Sequence, residues 1–298
     1  MIGQAEKRQT TTWTISLLLE AATTYLAKQK IAAARLNAEL LLAHCLGLSR
    51  LQLYLNFNQP LNKQERQDYK RLLIKRAQGM PLQYLLGSQP FRYLNLTVTE
   101  AVFIPRPETE ILVEQVVNWV QKNKPAQPLK VLDIGTGSGA IALSLAYELK
   151  LAKVWATDIS KQALAVAHKN AIDNGLSERL NFLAGPFFQP LPANVKFDII
   201  VSNPPYIKEA DLVALPPEVQ KEPKVALAGG LDGLEFYRTF AKEFSPYLAK
   251  NGLIAFEVGE GQAEAVGQMF AAQGLTYEVF KDLNKVNRVV LIYANCKN

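Results

Sequence analysis

Apolar and polar positions along the chain follow two different rhythms, and the change falls near residue 107. Before it, apolar side chains recur at helical spacing. In TWTISLLLEAATTYLAK, Trp13, Leu17, Ala21 and Tyr25 predict one buried helix face, and Leu36, Leu40 and Ala43 repeat the pattern in the next segment. A further helix is announced by its ends. Asn62 followed three residues on by Glu65 is a capping-box pattern, Leu61 can staple the turn, and KQERQDYKRLLIKRAQ should stop at Gly79-Met80-Pro81. These stripes predict the core of a small helical bundle. The first alternation is FRYLNLTVTE, which predicts a short hairpin or edge pair.

After residue 107 a helix, ETEILVEQVVNWVQK, is closed by the break NKPAQP. Short β-rich runs then alternate with helices: KVLDIG, KVWATD, LNFLAG, FDIIVSN and GLIAFEVG, with SGAIALSLAYEL and SKQALAVAHKNAIDNG among the intervening segments. Such alternation predicts βαβ units and a doubly wound parallel sheet. LTYEVFKDL and NRVVLIYA leave no room for a helix between them and should pair antiparallel at the sheet edge. The expected architecture is α/β, with a seven-stranded mixed sheet and a small N-terminal helical-bundle domain. The expected boundaries are 1–88 for the helical domain, 89–106 for the hairpin and linker, and 107–298 for the α/β domain.

Composition narrows the class. The chain of 298 residues is 49% apolar and 20% charged, values of an ordinary globular protein. No apolar run is long enough to span a bilayer, and MIGQAEKRQTTTW lacks a signal-peptide core, so a cytoplasmic protein without membrane contact is expected. The two cysteines, Cys45 and Cys296, form no metal or redox spacing and read as free thiols; with two histidines, no metal site is expected. Charge is unevenly placed: residues 1–90 carry 12 Lys/Arg against 5 Asp/Glu, and the remainder 21 against 22. A basic N-terminal surface suits an anionic or acidic partner, or simply a solvated helix face.

Candidate chemistry begins at VLDIGTGSGAIAL. Gly135, Gly137 and Gly139 follow a strand and open a helix, with Thr136 and Ser138 between them. The G-x-G-x-G spacing is one residue short of the dinucleotide fingerprint, and no phosphate-binding Lys follows. Asp158 ends the next strand, 23 residues beyond Gly135, where a carboxylate can accept from both ribose hydroxyls. Asp133 adds a carboxylate before the turn, suited to an ammonium. Ribose plus ammonium without phosphate points to S-adenosylmethionine.

The fourth strand of this series runs into SNPPY. Tandem prolines end any regular element and make a rigid elbow. Open α/β sheets bind ligands beyond the carboxyl ends of their strands, so Asn203 should enter the same crevice as the glycine turn. The Asn203 side-chain carbonyl and the Pro204 backbone carbonyl can both accept from one planar –NH2 group, and Tyr206 can stack on it. Two acceptors favour the charge that develops on a weakly nucleophilic nitrogen during methyl transfer.

These stretches, with FIPRPETE (103–110), EPKVALAGGLDGLEFYR and EVGEGQ, make the chain resemble the HemK/PrmC family of class I (Rossmann-like) S-adenosylmethionine-dependent methyltransferases over nearly its whole length. The family methylates the glutamine amide in the Gly-Gly-Gln motif of peptide chain release factors. NPPY is shared with amino-methyltransferases of nucleic acids; IPRPETE and ALAGGLDGL are more specific. The resemblance implies that Gly135 through Gly139 and Asp158 hold the cofactor, with Phe103 and Asn203 bordering it. Asn203, Pro204, Pro205 and Tyr206 would grip the substrate glutamine, Asn203, Pro204 and Tyr206 acting in catalysis. Phe187 matches the family's adenine-packing aromatic, although Phe187 and Phe188 also read as core. Pro186 stands where the family often has an adenine-contacting acid, and DLNKVNRVV lacks a glycine the family often carries. Glu257 and Gln262 are read as sheet and loop residues. The expected partner is a release factor, with no stable nucleic-acid binding; the alternatives are an exocyclic-amine methyltransferase of DNA or RNA and a glutamine methyltransferase of a ribosomal protein.

Overall fold

The Thr14 hydroxyl opens the first helix by accepting from the Leu17 N–H in the computed structural model, which describes residues 12–294. The N-terminal stretch before it and Cys296 lie outside the described residues; Cys45 is a half-buried free thiol. Helix α1 (Ile15–Lys28) is followed by α2 (Ala34–Leu46), α3 (Arg50–Leu55), α4 (Lys63–Ala77) and α5 (Leu82–Leu86). The capping box at α4 forms in full: Glu65 N donates to Asn62 Oδ1 at 3.0 Å, and Asn62 N donates to Glu65 Oε2 at 2.8 Å. Leu61 is buried beside it, and Gly79 ends the segment with φ of +87°.

The buried stripe of α1 differs from the expected one. Ile15, Leu19, Ala22 and Leu26 form the core face, while Leu17, Ala21 and Tyr25 are exposed and Trp13 is half-buried. Residues always four apart precess around a helix by about 40° per step, whereas steps of four, three and four stay on one face. In α2 the core takes Ala38, Leu41, Leu42 and Ala43; Ala43 of the expected set is buried, Leu36 is exposed and Leu40 half-buried. Part of the basic excess is internal: Arg35 and Arg50 both donate to the buried Glu39 carboxylate, and buried Arg76 donates to Asn37 Oδ1.

The chain divides between Leu86 and Gly87 into two compact units. The second begins with the antiparallel hairpin β1 (Ser88–Phe91) and β2 (Leu94–Thr97), whose Phe91, Leu94 and Leu96 enter the α/β core. It continues through α6 (Pro107–Asn123), β3 (Leu129–Ile134), α7 (Ala140–Glu148), β4 (Ala152–Asp158), α8 (Lys161–Asp173), β5 (Leu180–Ala184) and β6 (Phe197–Ser202). After a long loop come α9 (Glu235–Glu243), β7 (Leu248–Glu257), α10 (Ala263–Ala271), β8 (Thr276–Lys281) and β9 (Asn287–Tyr293).

The seven strands are ordered β5-β4-β3-β6-β7-β9-β8. β5 through β7 are parallel, β9 inserts antiparallel beside β7, and β8 pairs antiparallel with β9 at the edge. Both sheet faces are covered, so strands bury successive residues on opposite sides. Val131 of β3 joins the core under α6 and α7, and Leu132 joins the one under α9 and α10. The chain reverses its winding direction at β3, between β4 and β6, which opens a crevice at their carboxyl ends.

Leu19→Ala should lower unfolding stability by about 2–5 kcal/mol, while Leu17→Ala, on the exposed face, should change it by about 0.5 kcal/mol or less. Denaturant unfolding of the two variants checks which stripe faces the core.

Candidate functional site

The crevice at the carboxyl edge of β3, β4 and β6 deepens into a cavity of about 610 Å³. Its first wall is the glycine turn after β3. The Gly135 and Thr136 N–H groups both donate to the Thr157 carbonyl, at 2.8 and 3.0 Å, which pins the turn to the end of β4. Gly135 and Gly137 have φ of +72° and +57°, and a Cβ built on either would meet no heavy atom within 4 Å. Both line the cavity, so the missing side chains leave bare backbone for a ligand to approach. Thr136 and Ser138 share this wall. Gly139 does not; its hydrogen allows close packing, since a Cβ there would lie 2.5 Å from Leu143 Cδ1 and 3.2 Å from Ala167 Cβ.

Asp158, at the end of β4, lines the cavity and is half-buried. Its Oδ2 accepts from Gly137 N at 2.9 Å and its Oδ1 from Ser160 N at 2.8 Å, so it couples the glycine turn to the start of α8. Burial raises its pKa, against the lowering effect of these backbone donors.

Asp133 lies behind the glycine turn. It is fully buried beneath the turn and absent from the cavity wall. Its Oδ2 accepts from Thr136 Oγ1 at 2.6 Å and from Ala142 N at 3.2 Å, while its Oδ1 has no partner. Burial pushes its pKa up to about 7. From there Asp133 supports the turn from behind, through Thr136 and Ala142.

The second wall is the elbow after β6. Ser202 Oγ donates to the Ile134 carbonyl at 2.7 Å, tying the elbow to the base of the glycine turn. Asn203, Pro204, Pro205 and Tyr206 all line the cavity. So do Phe103, with the Arg106 guanidinium 4.7 Å over its ring, and Phe187, stacked on Phe236 at 4.8 Å. The two adjacent phenylalanines part: Phe188 is core, against Phe240 and Tyr247, and Phe187 stays on the wall beside Pro186.

Several residues around this site carry no local sequence signal. Asn203 Nδ2 donates to Thr109 Oγ1 at 3.0 Å, and Thr109 Oγ1 donates to Glu257 Oε2 at 2.6 Å. Tyr206 OH donates to Glu257 Oε1 at 3.3 Å. Glu257, read from sequence as a sheet residue, thus lies buried directly behind the elbow. Burial pushes its carboxyl up to about 7, opposed by Thr109, Arg288 and Tyr206. Burial and the neighbouring Glu257 hold the Tyr206 phenol above its usual range, so it stays a donor.

Gln262 is likewise structural in a way spacing did not reveal: its Nε2 donates to the Tyr206 carbonyl at 3.0 Å and its Oε1 accepts from Gly259 N at 2.9 Å. Gly229, in ALAGGLDGL, packs on the elbow so closely that a Cβ would sit 2.8 Å from the Pro205 oxygen. The buried Glu222 carboxylate accepts from Ile104 N at 3.0 Å and from the Arg106 guanidinium, joining FIPRPETE to EPKVAL. Buried Asn170 donates to Ser138 O at 2.9 Å and Thr97 O at 3.0 Å, holding the glycine turn against the hairpin.

The cavity therefore offers bare glycine backbone, the Asp158 carboxylate at the end of β4, aromatic rings and an amide-bearing elbow. Arg106 is the one basic side chain among the described lining residues, and Glu222 engages it. These groups suit a nucleoside without phosphates, and the unpaired Asp133 Oδ1 behind the turn favours positive charge nearby.

The solved hMettl16 catalytic domain, in complex with MAT2A 3'UTR hairpin 6, matches 76% of this chain and 83% of that one with a TM-score of 0.56 at 18% identity, a likeness of fold. With the sheet order and the carboxyl-edge cavity, this defines a class I methyltransferase fold. Two family models match: the PrmC N-terminal domain over residues 18–87 and the methyltransferase small domain over residues 108–217. A release factor glutamine methyltransferase of Geobacter sulfurreducens is 44% identical over 281 residues, 93% of this chain and 96% of that protein. The one of Chlorobaculum tepidum is 39% identical over 282 residues, covering 93% and 96%. The chain belongs to the release factor glutamine methyltransferase family.

The Asp133 carboxyl, near 7 when folded and at its ordinary value when unfolded, binds more protons in the folded state between those limits. Its contribution to stability should therefore fall as pH rises from about 4 to about 7. Asp133→Asn should flatten this part of the profile, measured by denaturant unfolding at a series of pH values.

Proposed function

We propose that this protein transfers a methyl group from S-adenosylmethionine to the side-chain amide nitrogen of the glutamine in the Gly-Gly-Gln motif of peptide chain release factors. The observation that carries the reading is the elbow: Asn203 lines the cavity with Gly135, Gly137 and Asp158 and donates its Nδ2 to Thr109, which would leave the amide oxygen for the substrate. The names of relatives covering 93% of the chain support the same substrate.

S-adenosylmethionine, when bound, supplies a methyl carbon made electrophilic by its sulfonium. Asp158 would accept from the ribose hydroxyls, the Gly135–Gly137 backbone would lie along the donor, and Phe187 would pack on the adenine. Phe103 would border the donor and the incoming amide. Asn203 Oδ1 and the Pro204 carbonyl would accept from the glutamine –NH2, fixing its plane and favouring the positive charge that grows on nitrogen as the C–N bond forms. The prolines keep both acceptors from relaxing toward each other, and Tyr206 would stack on the amide. The nitrogen needs no base beforehand, since its proton leaves to water once the bond is made. An amide buried without acceptors would cost about 1–3 kcal/mol.

The helical unit, with its basic excess, would dock the protein substrate. No described helix is long and apolar enough to cross a membrane.

Incubation with labelled S-adenosylmethionine and, separately, a release factor, a ribosomal protein and nucleic acid should label the release factor at the Gly-Gly-Gln glutamine. Labelling of nucleic acid but not release factor would overturn the substrate. Asn203→Ala should lower kcat by about 10²–10³-fold with cofactor Kd changed by less than about threefold. Asp158→Ala should weaken cofactor binding by about 10–100-fold, read by calorimetry.

A further inference from the structure

A carboxamide can occupy its site in either of two orientations, related by a half-turn that exchanges oxygen and nitrogen. At Asn203 the difference is functional, because one orientation offers the cavity an acceptor and the other a donor. Nothing in the elbow itself selects between them. The selection comes from a relay of polar atoms reaching away from the cavity into the protein.

Glu257 stands at its inner end. An ionised carboxylate only accepts. Tyr206 donates to Oε1 and Thr109 to Oε2, so each oxygen takes a hydroxyl proton. A threonine hydroxyl has one proton, and Thr109 has given it to Glu257. Toward Asn203 it can therefore only accept, and the donor it meets is Nδ2 at 3.0 Å. With the nitrogen held there, the amide oxygen is left on the cavity side.

We propose that Glu257 is a positioning residue that acts through Thr109 to lock the Asn203 amide with its oxygen toward the substrate nitrogen. The inference rests on the proposed methyl transfer to an amide. It assigns Glu257 and Thr109 no contact with either reactant; they decide which face of Asn203 the reactant meets.

The hydroxyls of Thr109 and of Tyr206 from the elbow each give a proton to one oxygen of Glu257. Burial and Glu108 of α6 oppose the ionised carboxylate, while Thr109, Arg288 of β9 and Tyr206 favour it. Tyr237 of α9 donates to the Glu257 backbone oxygen at 2.7 Å and leaves both carboxylate oxygens to the hydroxyls. Were Glu257 protonated, it could donate to Thr109, and Thr109 could then donate to Asn203. The amide would turn its nitrogen to the cavity, opposing one N–H with another.

Thr109→Val removes the relay while keeping the side chain's size. Glu257→Gln leaves one acceptor for two hydroxyls. Each should lower kcat for release-factor methylation by about tenfold or more, with cofactor Kd and KM changed by less than about threefold, and Thr109→Ser should recover most of the turnover lost in Thr109→Val. The double variant should be no slower than the slower single, because both substitutions break one relay. Wild-type turnover in Thr109→Val, or effects that multiply in the double variant, would overturn the proposal. A readout without substrate or cofactor separates this from the reading it rests on. In the protein alone, the Asn203 side-chain NH2 protons should show nuclear Overhauser contacts to the Thr109 methyl group. Those contacts should weaken in Glu257→Gln. Their absence in the wild type would sink the relay, even if methyl transfer to the release factor is found; failure of the wild type to methylate any release factor would sink the reading while leaving the relay to this test.

Discussion

The parallel pairing of β3 with β6 is the constraint on which the site depends. Val131, Leu132 and Asp133 lie in register with Ile199, Ile200 and Val201, so both strands end at the same edge. One runs out into the glycine turn and the other into the proline elbow. Ser202 Oγ, bonded to the Ile134 carbonyl, removes the remaining freedom between them. A shift of one residue in this pairing would turn every side chain of β6 to the other face. Each strand is packed on both sides, so that shift would break the fitted packing of two cores and the Ser202 bond together. The relative placement of glycine turn and elbow is thus, at bottom, a matter of strand register and packing.

Around that edge the chain concentrates groups that are expensive to bury, and places each where another group needs it. Asp133 supports the turn through Thr136 and Ala142; Glu222 joins the segment before α6 to the loop after the elbow; Glu257 serves Thr109 and Tyr206. Removing a partner from any of these would leave a buried charge short of hydrogen bonds. The same economy explains the second glycine cluster. In ALAGGLDGL, Gly229 lets one loop lie against the backbone of Pro205 and Tyr206, and Gln262 clamps the Tyr206 carbonyl from the far side. The elbow is rigid because prolines restrict it from within and a loop packs it from without.

Sequence alone made the α/β half legible because each signal there is short. Strands announce themselves in short apolar runs, as do the glycine turn and the elbow in their own few residues, and none depends on what lies elsewhere. The helical half was legible as helices but not as a packed core. In ISLLLEAATTYL two apolar stripes are available, and only the one at 15, 19, 22 and 26 stays on a single face over its length. The burial of Asp133 behind the turn was not legible for a related reason: it depends on the layers packed over β3 and not on its neighbours in sequence.

What the sequence by itself determined was the order of elements, the chemistry of turn and elbow, and the family, all properties of contiguous residues. Only the tertiary structure decided which carboxylates matter and what they do. Thr109 and Glu257 are 148 positions apart, and Asn203 and Thr109 are 94 apart. No propensity or spacing connects them. They meet because α6 packs on the sheet beside the ends of β6 and β7, and burial of apolar surface sets that arrangement. The polar groups brought together there must then find partners among themselves, since water is excluded.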